Sequence, residues 1–323
     1  MSKTIGVVFE YLNDDYAALI NQAASKHGYE VRYYLSSAAA MGNVDDCEIL
    51  FGHCSQKVIA SAASLRWFCC CWTGVERFCK DGLFRNPDCM LSNSSGACGV
   101  TISEHLIMMA LMLLRRQNEY FEIIREGGWR TLEGGIRSLY GSRITILGTG
   151  DIGTQFARRA RAFGPSRITG VRRSAKTGDP AFDEVRTTEE LDGILPETDL
   201  LVMVLPNTPA TSGILNRERI MLLPKGAFVL NAGRGTAIDQ DALIDALNNG
   251  HLGGAALDVV DPEPLPADHP LRSAKNILLT PHVAGNMMLP YTQRRSVELF
   301  VEDLDRYAAG QPLARLVDRK RFY

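Results

Sequence analysis

Three polar residues in this chain could do proton and anion chemistry together. His282 ends the apolar run in "NILLTPHVAG", Arg234 stands between glycines in "FVLNAGRG", and Glu263 follows Asp258 in "ALDVVDPEPLP". An imidazole moves a proton near neutral pH. A carboxylate beside it would orient it, and a guanidinium suits a carboxylate substrate through charge-assisted, paired hydrogen bonds. Each residue also has an ordinary structural role: a satisfied buried histidine, a loop cap, a turn residue. Their recurrence at the ends of successive apolar segments favours the joint reading, because ligands of open α/β sheets lie beyond the carboxyl ends of the strands. The other histidines read as structural. His27 sits at a helix end, His53 after a strand, His251 and His269 in loops, and His105 reads as a core residue of an apolar helix.

A second constellation lies earlier, in "ITILGTGDIGTQFARRARAFG" (144–164). Gly148, Gly150 and Gly153 follow a strand-like run and open an amphipathic helix, the context that gives G-x-G-x-x-G its meaning. The first glycine permits the tight turn, the second lets the backbone approach a pyrophosphate, and the third lets the helix pack close to the strand. The helix N-terminus then presents free N–H groups to the phosphates. No Gly-Lys-Ser/Thr follows, so a P-loop is not indicated. About twenty residues on, where NAD-binding chains usually carry an acid for the ribose hydroxyls, this chain reads "GVRRSAK" (170–176). Arginine suits the 2′-phosphate of NADP instead. Arg172 takes the place of the acid, Arg173 would add a contact or cover the adenine, and Ser174 would donate a hydroxyl. The competing reading is a solvated basic turn.

These residues need strands and helices to position them. "TIGVVFE", "YEVRYYL", "CEILFGH" and "LRWFCCCW" read as strands of a first series, with a capped helix over 14–28 ending at Gly28. The segment 92–128 reads as one long buried helix capped by Thr101 or Ser103, and then a glycine-interrupted loop. A second series follows with strands at "SRITILG", "RITGV", "TDLLVMVLP", "GAFVLNAG", "GGAALDVV" and "NILLTPHV", and an amphipathic helix over 292–310 closes the chain. Alternation of this kind predicts an α/β fold, with parallel sheets carrying helices on both faces. The continuous apolar runs are those of strands buried on both sides.

The 323 residues suit about two domains. A formal net charge of −2 provides no basic field for nucleic acid or an anionic membrane. The longest apolar run, "LIMMALMLL", is too short to span a bilayer, which takes about 20 residues. All eight cysteines lie in the first hundred residues, three of them consecutive at Cys69–Cys71. Neighbours on a strand point to opposite faces, so these three cannot converge on a metal, and no metal site is expected. They read as small buried hydrophobes in a reducing compartment. The start, "MSKTIGVVFE", runs directly into a strand without the apolar core of a signal peptide, and the location read from this is cytoplasmic.

Taken in order, "GTGDIG", "LPNTPAT", "NAGRG", "DVVDPEPLP" and "TPHVAG" resemble the D-isomer-specific 2-hydroxyacid dehydrogenase family over essentially the whole chain. The resemblance implies two doubly wound domains: a Rossmann coenzyme domain, residues 100–285, inserted into a smaller flavodoxin-like substrate domain, residues 1–99 plus 286–323. It implies a homodimer acting on a small 2-keto or 2-hydroxy acid. It gives His282 the acid/base role, Glu263 that of its carboxylate partner, and Arg234 that of the carboxylate-binding and carbonyl-polarising residue. The backbone N–H groups near Gly74 and Val75 would hold the substrate carboxylate. With Arg172, Arg173 and Ser174, the cofactor-binding set is Gly148, Gly150, Asp151, Ile152, Gly153, Leu205, Pro206, Asn207, Thr211, Ala232, Asp258, His282 and Gly285. Pro206 and its neighbours would line the adenosine side, and Asp258 matches the residue that binds the nicotinamide carboxamide. Two departures stand out: Arg172 replaces the acid, and Trp72 stands where smaller residues are common and would narrow the acyl pocket. Family members with arginines after the second strand often resemble NADPH-using glyoxylate or hydroxypyruvate reductases, so NADP(H) is expected over NAD(H). The alternatives are an NAD-linked phosphoglycerate-type dehydrogenase, a non-catalytic NAD(P)-sensing corepressor-like module, and an S-adenosylmethionine-dependent methyltransferase.

Overall fold

The computed structural model describes residues 3–174 and 179–320, and the chain divides into two compact units, residues 1–98 with 286–323 and residues 99–285. In the first unit, strands β1 (Thr4–Val8), β2 (Glu30–Tyr34), β3 (Ile49–Gly52), β4 (Trp67–Cys70) and β5 (Met90–Ser92) form a parallel sheet in the order β2-β1-β3-β4-β5. This is the flavodoxin-type order. β1, β3 and β4 are buried along their whole length, as their unbroken apolar sequences require. Four strands are expected here from the sequence; the fifth, "MLS", is too short to carry a pattern. Helices α1 (Asp14–Lys26), α2 (Ser37–Ala40) and α3 (Gln56–Ser61) connect the strands, and Asn13 caps α1 by accepting from the Tyr16 N–H at 2.9 Å. The C-terminal helix, Pro290–Ala308, packs in this unit and stacks Phe300 on Phe51 with ring centroids 4.4 Å apart.

All eight cysteines are buried and unpaired. Burial pushes the Cys47 and Cys70 thiols up to about 11 and the Cys89 thiol up to about 12. Thiols of this kind pack as small apolar groups.

The second unit holds seven strands: β6 (Arg143–Leu147), β7 (Arg167–Arg172), β8 (Glu184–Thr187), β9 (Leu200–Met203), β10 (Phe228–Asn231), β11 (Gly254–Leu257) and β12 (Ile277–Leu279). Their order is β12-β11-β10-β9-β6-β7-β8 and every pairing is parallel. The chain starts in the middle at β6, builds outward to β8, then returns to β9. The order therefore reverses between β6 and β9, where open α/β sheets place a crevice. The helices are α4 (Gly99–Leu114), α5 (Gln117–Arg125), α6 (Asp151–Arg161), α7 (Leu191–Ile194), α8 (Arg217–Leu222) and α9 (Gln240–Asn248).

Two expectations need correction. α4 begins at Gly99, before Thr101 and Ser103, and the Ser103 hydroxyl donates to the Val100 carbonyl at 2.7 Å inside the helix. The Asp151 carboxylate explains the early start: a Cβ at Gly99 would lie 2.1 Å from its Oδ2. Only glycine lets that carboxylate sit at the electropositive end of α4. The single long helix is also two helices. Arg116 turns left-handed, with φ of 55°, and its guanidinium pairs with both Glu119 oxygens at 2.6 Å.

Candidate active site

The central strands of the second unit end in register. Val171 pairs with Leu147, Leu147 with Met203, Met203 with Asn231, Asn231 with Leu257, and Leu257 with Leu279. The next residues, Arg172, Gly148, Ala232, Asp258 and Thr280 among them, therefore begin a single layer along the carboxyl edge of the sheet. From β12 to β7 is five strand steps, about 24 Å at ~4.8 Å per step. Candidate reactive groups lie toward the β12 end and the arginine pair lies past β6.

The three turn glycines separate into two kinds. Gly148 has φ of 104°, and a Cβ there would lie 2.8 Å from the Val204 carbonyl oxygen; at Gly153 it would lie 1.9 Å from the Gly148 oxygen. The chain's own packing demands both. Gly150 caps α6 with an ordinary φ of −75°, and a Cβ there would meet no atom within 4 Å. Among the described residues, no neighbouring atom requires glycine at 150. The open space there would let an outside group approach the backbone, at a helix N-terminus suited to anions. The turn thus fits a dinucleotide pyrophosphate. Asp151 and Ile152 form the first turn of α6, where the Asp151 carboxylate is turned to Gly99. Arg172 closes β7 half-buried, and among the described residues its guanidinium has no hydrogen-bond or ion-pair partner. Arg173 and Ser174 follow it, exposed.

The loops after β9 and β10 are built against each other. The Thr211 hydroxyl donates to the Pro206 carbonyl at 2.6 Å and accepts from the Thr208 N–H at 2.9 Å, closing the turn. Asn207 Oδ1 accepts from the Thr236 hydroxyl at 3.1 Å. Leu205 is buried and crowds Gly233, where a Cβ would lie 2.6 Å from the Leu205 nitrogen. A Cβ at Gly235 would lie closer still, 2.0 Å from the Val260 carbonyl carbon. The two glycines let the Arg234 loop pass between these neighbours. Buried Asn231 fixes that loop, accepting from the Gly233 N–H and donating to the Arg234 carbonyl, both at 2.9 Å. Ala232 continues β10, donating its N–H to the Met203 carbonyl at 3.1 Å.

His282 Nδ1 lies 2.8 Å from Glu263 Oε2. Glu263 Oε1 accepts from the Val260 N–H at 3.1 Å, so the carboxylate is fixed from both sides. Gln240, from α9, grips the same loop: its Oε1 accepts from the Asp261 N–H at 3.1 Å and its amide donates to the Asp261 carbonyl. The imidazole is half exposed. Its backbone is left-handed, with φ of 55°, a conformation that costs a non-glycine residue about 1 kcal/mol or more. Asp258 holds it there. This carboxylate is buried; Oδ1 accepts from the Thr280 hydroxyl at 2.6 Å and the Val283 N–H at 2.9 Å, and Oδ2 from the Ala284 N–H at 3.0 Å. The His282 N–H bonds the Asp258 and Thr280 carbonyls at 2.8 and 3.0 Å. Asp258 thus organises the 280–284 turn leading to Gly285. The sequence reading did not find Asn231, Gln240, Thr280 or His105, which lies 3.1 Å from Thr280. Thr280 had one available signal, its place two residues before His282.

In the first unit, Gly74 and buried Val75 lie in the loop after β4. Asn93 donates to the Thr73 carbonyl at 2.8 Å and the Ser94 N–H to the Trp72 carbonyl at 3.2 Å, pinning that loop. Trp72 is half-buried and meets the His53 ring edge-on at 6.1 Å.

Among the described residues no group of histidine, cysteine and carboxylate side chains could hold a metal ion, and no helix is long and apolar enough to cross a membrane.

A parallel sheet that reverses at β6, with a ligand-ready glycine turn at the reversal, defines a dinucleotide-binding α/β protein. Residues 107–284 match the model of the D-isomer specific 2-hydroxyacid dehydrogenase NAD binding domain, and the chain belongs to that family. It is 34% identical over 226 residues, 70% of each chain, to glyoxylate/hydroxypyruvate reductase A of Escherichia fergusonii. Two solved structures align over all of both chains. One is a D-isomer specific 2-hydroxyacid dehydrogenase of Xanthobacter autotrophicus in complex with NADPH and MES, with TM-score 0.83 and 27% identity. The other is the NADPH-dependent glyoxylate/hydroxypyruvate reductase of Sinorhizobium meliloti in complex with NADP and sulfate, with TM-score 0.82 and 26% identity.

Proposed function

We propose that the protein reduces a small 2-keto acid of the glyoxylate or hydroxypyruvate kind to the D-2-hydroxy acid, using NADP(H) in preference to NAD(H). The observation that carries this reading is the 2.8 Å contact between His282 Nδ1 and Glu263 Oε2, on the same sheet edge as the glycine turn. When bound, the nicotinamide supplies a hydride to the keto carbon. Arg234 binds the substrate carboxylate and polarises the carbonyl. Protonated His282 gives its Nε2 proton to the carbonyl oxygen as charge develops there. Glu263 holds the ring through Nδ1 and stabilises the imidazolium. The N–H groups near Gly74 and Val75 add to the hold on the carboxylate. Gly148, Gly150 and the start of α6 take the pyrophosphate, and Arg172, aided by Arg173 and Ser174, takes the 2′-phosphate. The names of the relatives and the NADPH and NADP complexes among them support this choice of substrate and cofactor.

The reading includes a homodimer in the cytoplasm. Unpaired cysteines suit a reducing compartment, and exposed Trp129, Tyr140, Phe121 and Ile124 give the second unit apolar surface for a partner.

Replacing the imidazole tests the reading. His282→Ala is expected to lower kcat for glyoxylate or hydroxypyruvate reduction by about 10²–10⁴-fold, with NADPH still bound in a fluorescence titration. Near-normal turnover would remove His282 from the acid/base role.

A further inference from the structure

We propose that His105 is a positioning residue for the acid/base, acting through Thr280 and Asp258 on the backbone that carries His282. This rests on the acid/base reading of His282. His105 Nε2 lies 3.1 Å from Thr280 Oγ1 and 3.7 Å from Asp258 Oδ1. Thr280 has one hydroxyl proton, and its 2.6 Å bond to Asp258 Oδ1 uses it, because a carboxylate only accepts. The hydroxyl must therefore accept from His105, which fixes the proton of the imidazole on Nε2. Burial lowers the His105 pKa, partly opposed by the Asp258 carboxylate, and the net lowering favours the neutral ring that this hydrogen-bond pattern uses.

The donors run in one direction: His105 Nε2–H to Thr280, Thr280 O–H to Asp258 Oδ1. The same carboxylate collects the Val283 and Ala284 N–H groups. A hydroxyl that accepts a bond donates a stronger one. The left-handed backbone at His282 persists only while its surroundings over-determine it. His105 supplies one of those constraints from α4, a different element from the strand end it braces. If it is lost, Thr280 can rotate, Asp258 loses a donor, and the 281–283 backbone can relax. A displacement of about 1 Å at a reacting group costs up to about a hundredfold in rate.

The test pairs His105→Phe, which keeps a ring and removes the donor, with His105→Gln, which restores an amide donor. The expected result for His105→Phe is a fall in kcat of about tenfold, for the loss of one hydrogen bond, with KM for the keto acid within about twofold. His105→Gln recovers most of the loss. In the ligand-free chain, the His282 ring NMR signals, assigned by their absence in His282→Ala, move in His105→Phe and return in His105→Gln. An unmoved His282 signal, or equal losses in the two variants, overturns the proposal. If His105→Phe does not fold, Thr280→Val breaks the same link and Thr280→Ser restores it, read by the same criteria. A wild-type chain without keto-acid turnover would sink the functional reading, while the NMR signals would still judge the positioning one.

Discussion

Arg172 differs from most arginines of the second unit. Arg143 lies against Asp199, Arg158 against Asp179, and Arg219 against Asp192. Arg172, at the end of β7, has no such partner among the described residues. A guanidinium left over at the carboxyl end of a parallel strand suits a phosphate. Arg172→Asp is expected to lower kcat/KM for NADPH by about 10–100-fold, the worth of one charge-assisted bond, and to change NADH use little. Steady-state rates with both cofactors check this; equal losses would mean that the arginine does not read the 2′-phosphate. Arg234, Glu263 and His282 were legible because each follows an apolar run, the strands β10, β11 and β12. His105 was not legible. A histidine among leucines and methionines reads as core, and its partner Thr280 lies 175 positions away in the chain.

At the scale of elements, the glycine turn makes two separable demands. Gly153→Ala places a methyl group against the Gly148 carbonyl and should destabilise the second unit by about 1–3 kcal/mol, as overpacking does. Gly150→Ser adds a Cβ that meets no protein atom and keeps a good helix cap. It should leave the melting temperature nearly unchanged and weaken NADPH binding by roughly tenfold or more, through lost backbone approach. Thermal melts and cofactor titration of the two variants check the contrast. A turn serving packing alone would leave NADPH affinity intact in Gly150→Ser. Strands such as β9 and β10 were legible as unbroken apolar runs. β8, "EVRT", was missed because a half-exposed edge strand alternates weakly over four residues. The break between α4 and α5 was missed because it rests on the Arg116 backbone and its bond to Glu119, with no glycine or proline to mark it.

Across the whole molecule, the cysteines are confined to one part of the chain. Every cysteine lies in the first unit, none more than 9% exposed. With their thiols buried and several raised in pKa, the native chain should resist an Ellman-type reagent, and all eight should react once it is unfolded. Counting thiols before and after denaturant checks this, and prompt labelling of several would contradict the buried packing of Cys69–Cys71. The tension between folding and use is sharpest at residue 282. Its left-handed backbone is one that glycine adopts freely and histidine does not. A redesign of this chain ranked by melting temperature alone would place glycine there, and its score would rise as the proposed reaction disappeared. Thermostabilising efforts should therefore treat position 282 as fixed.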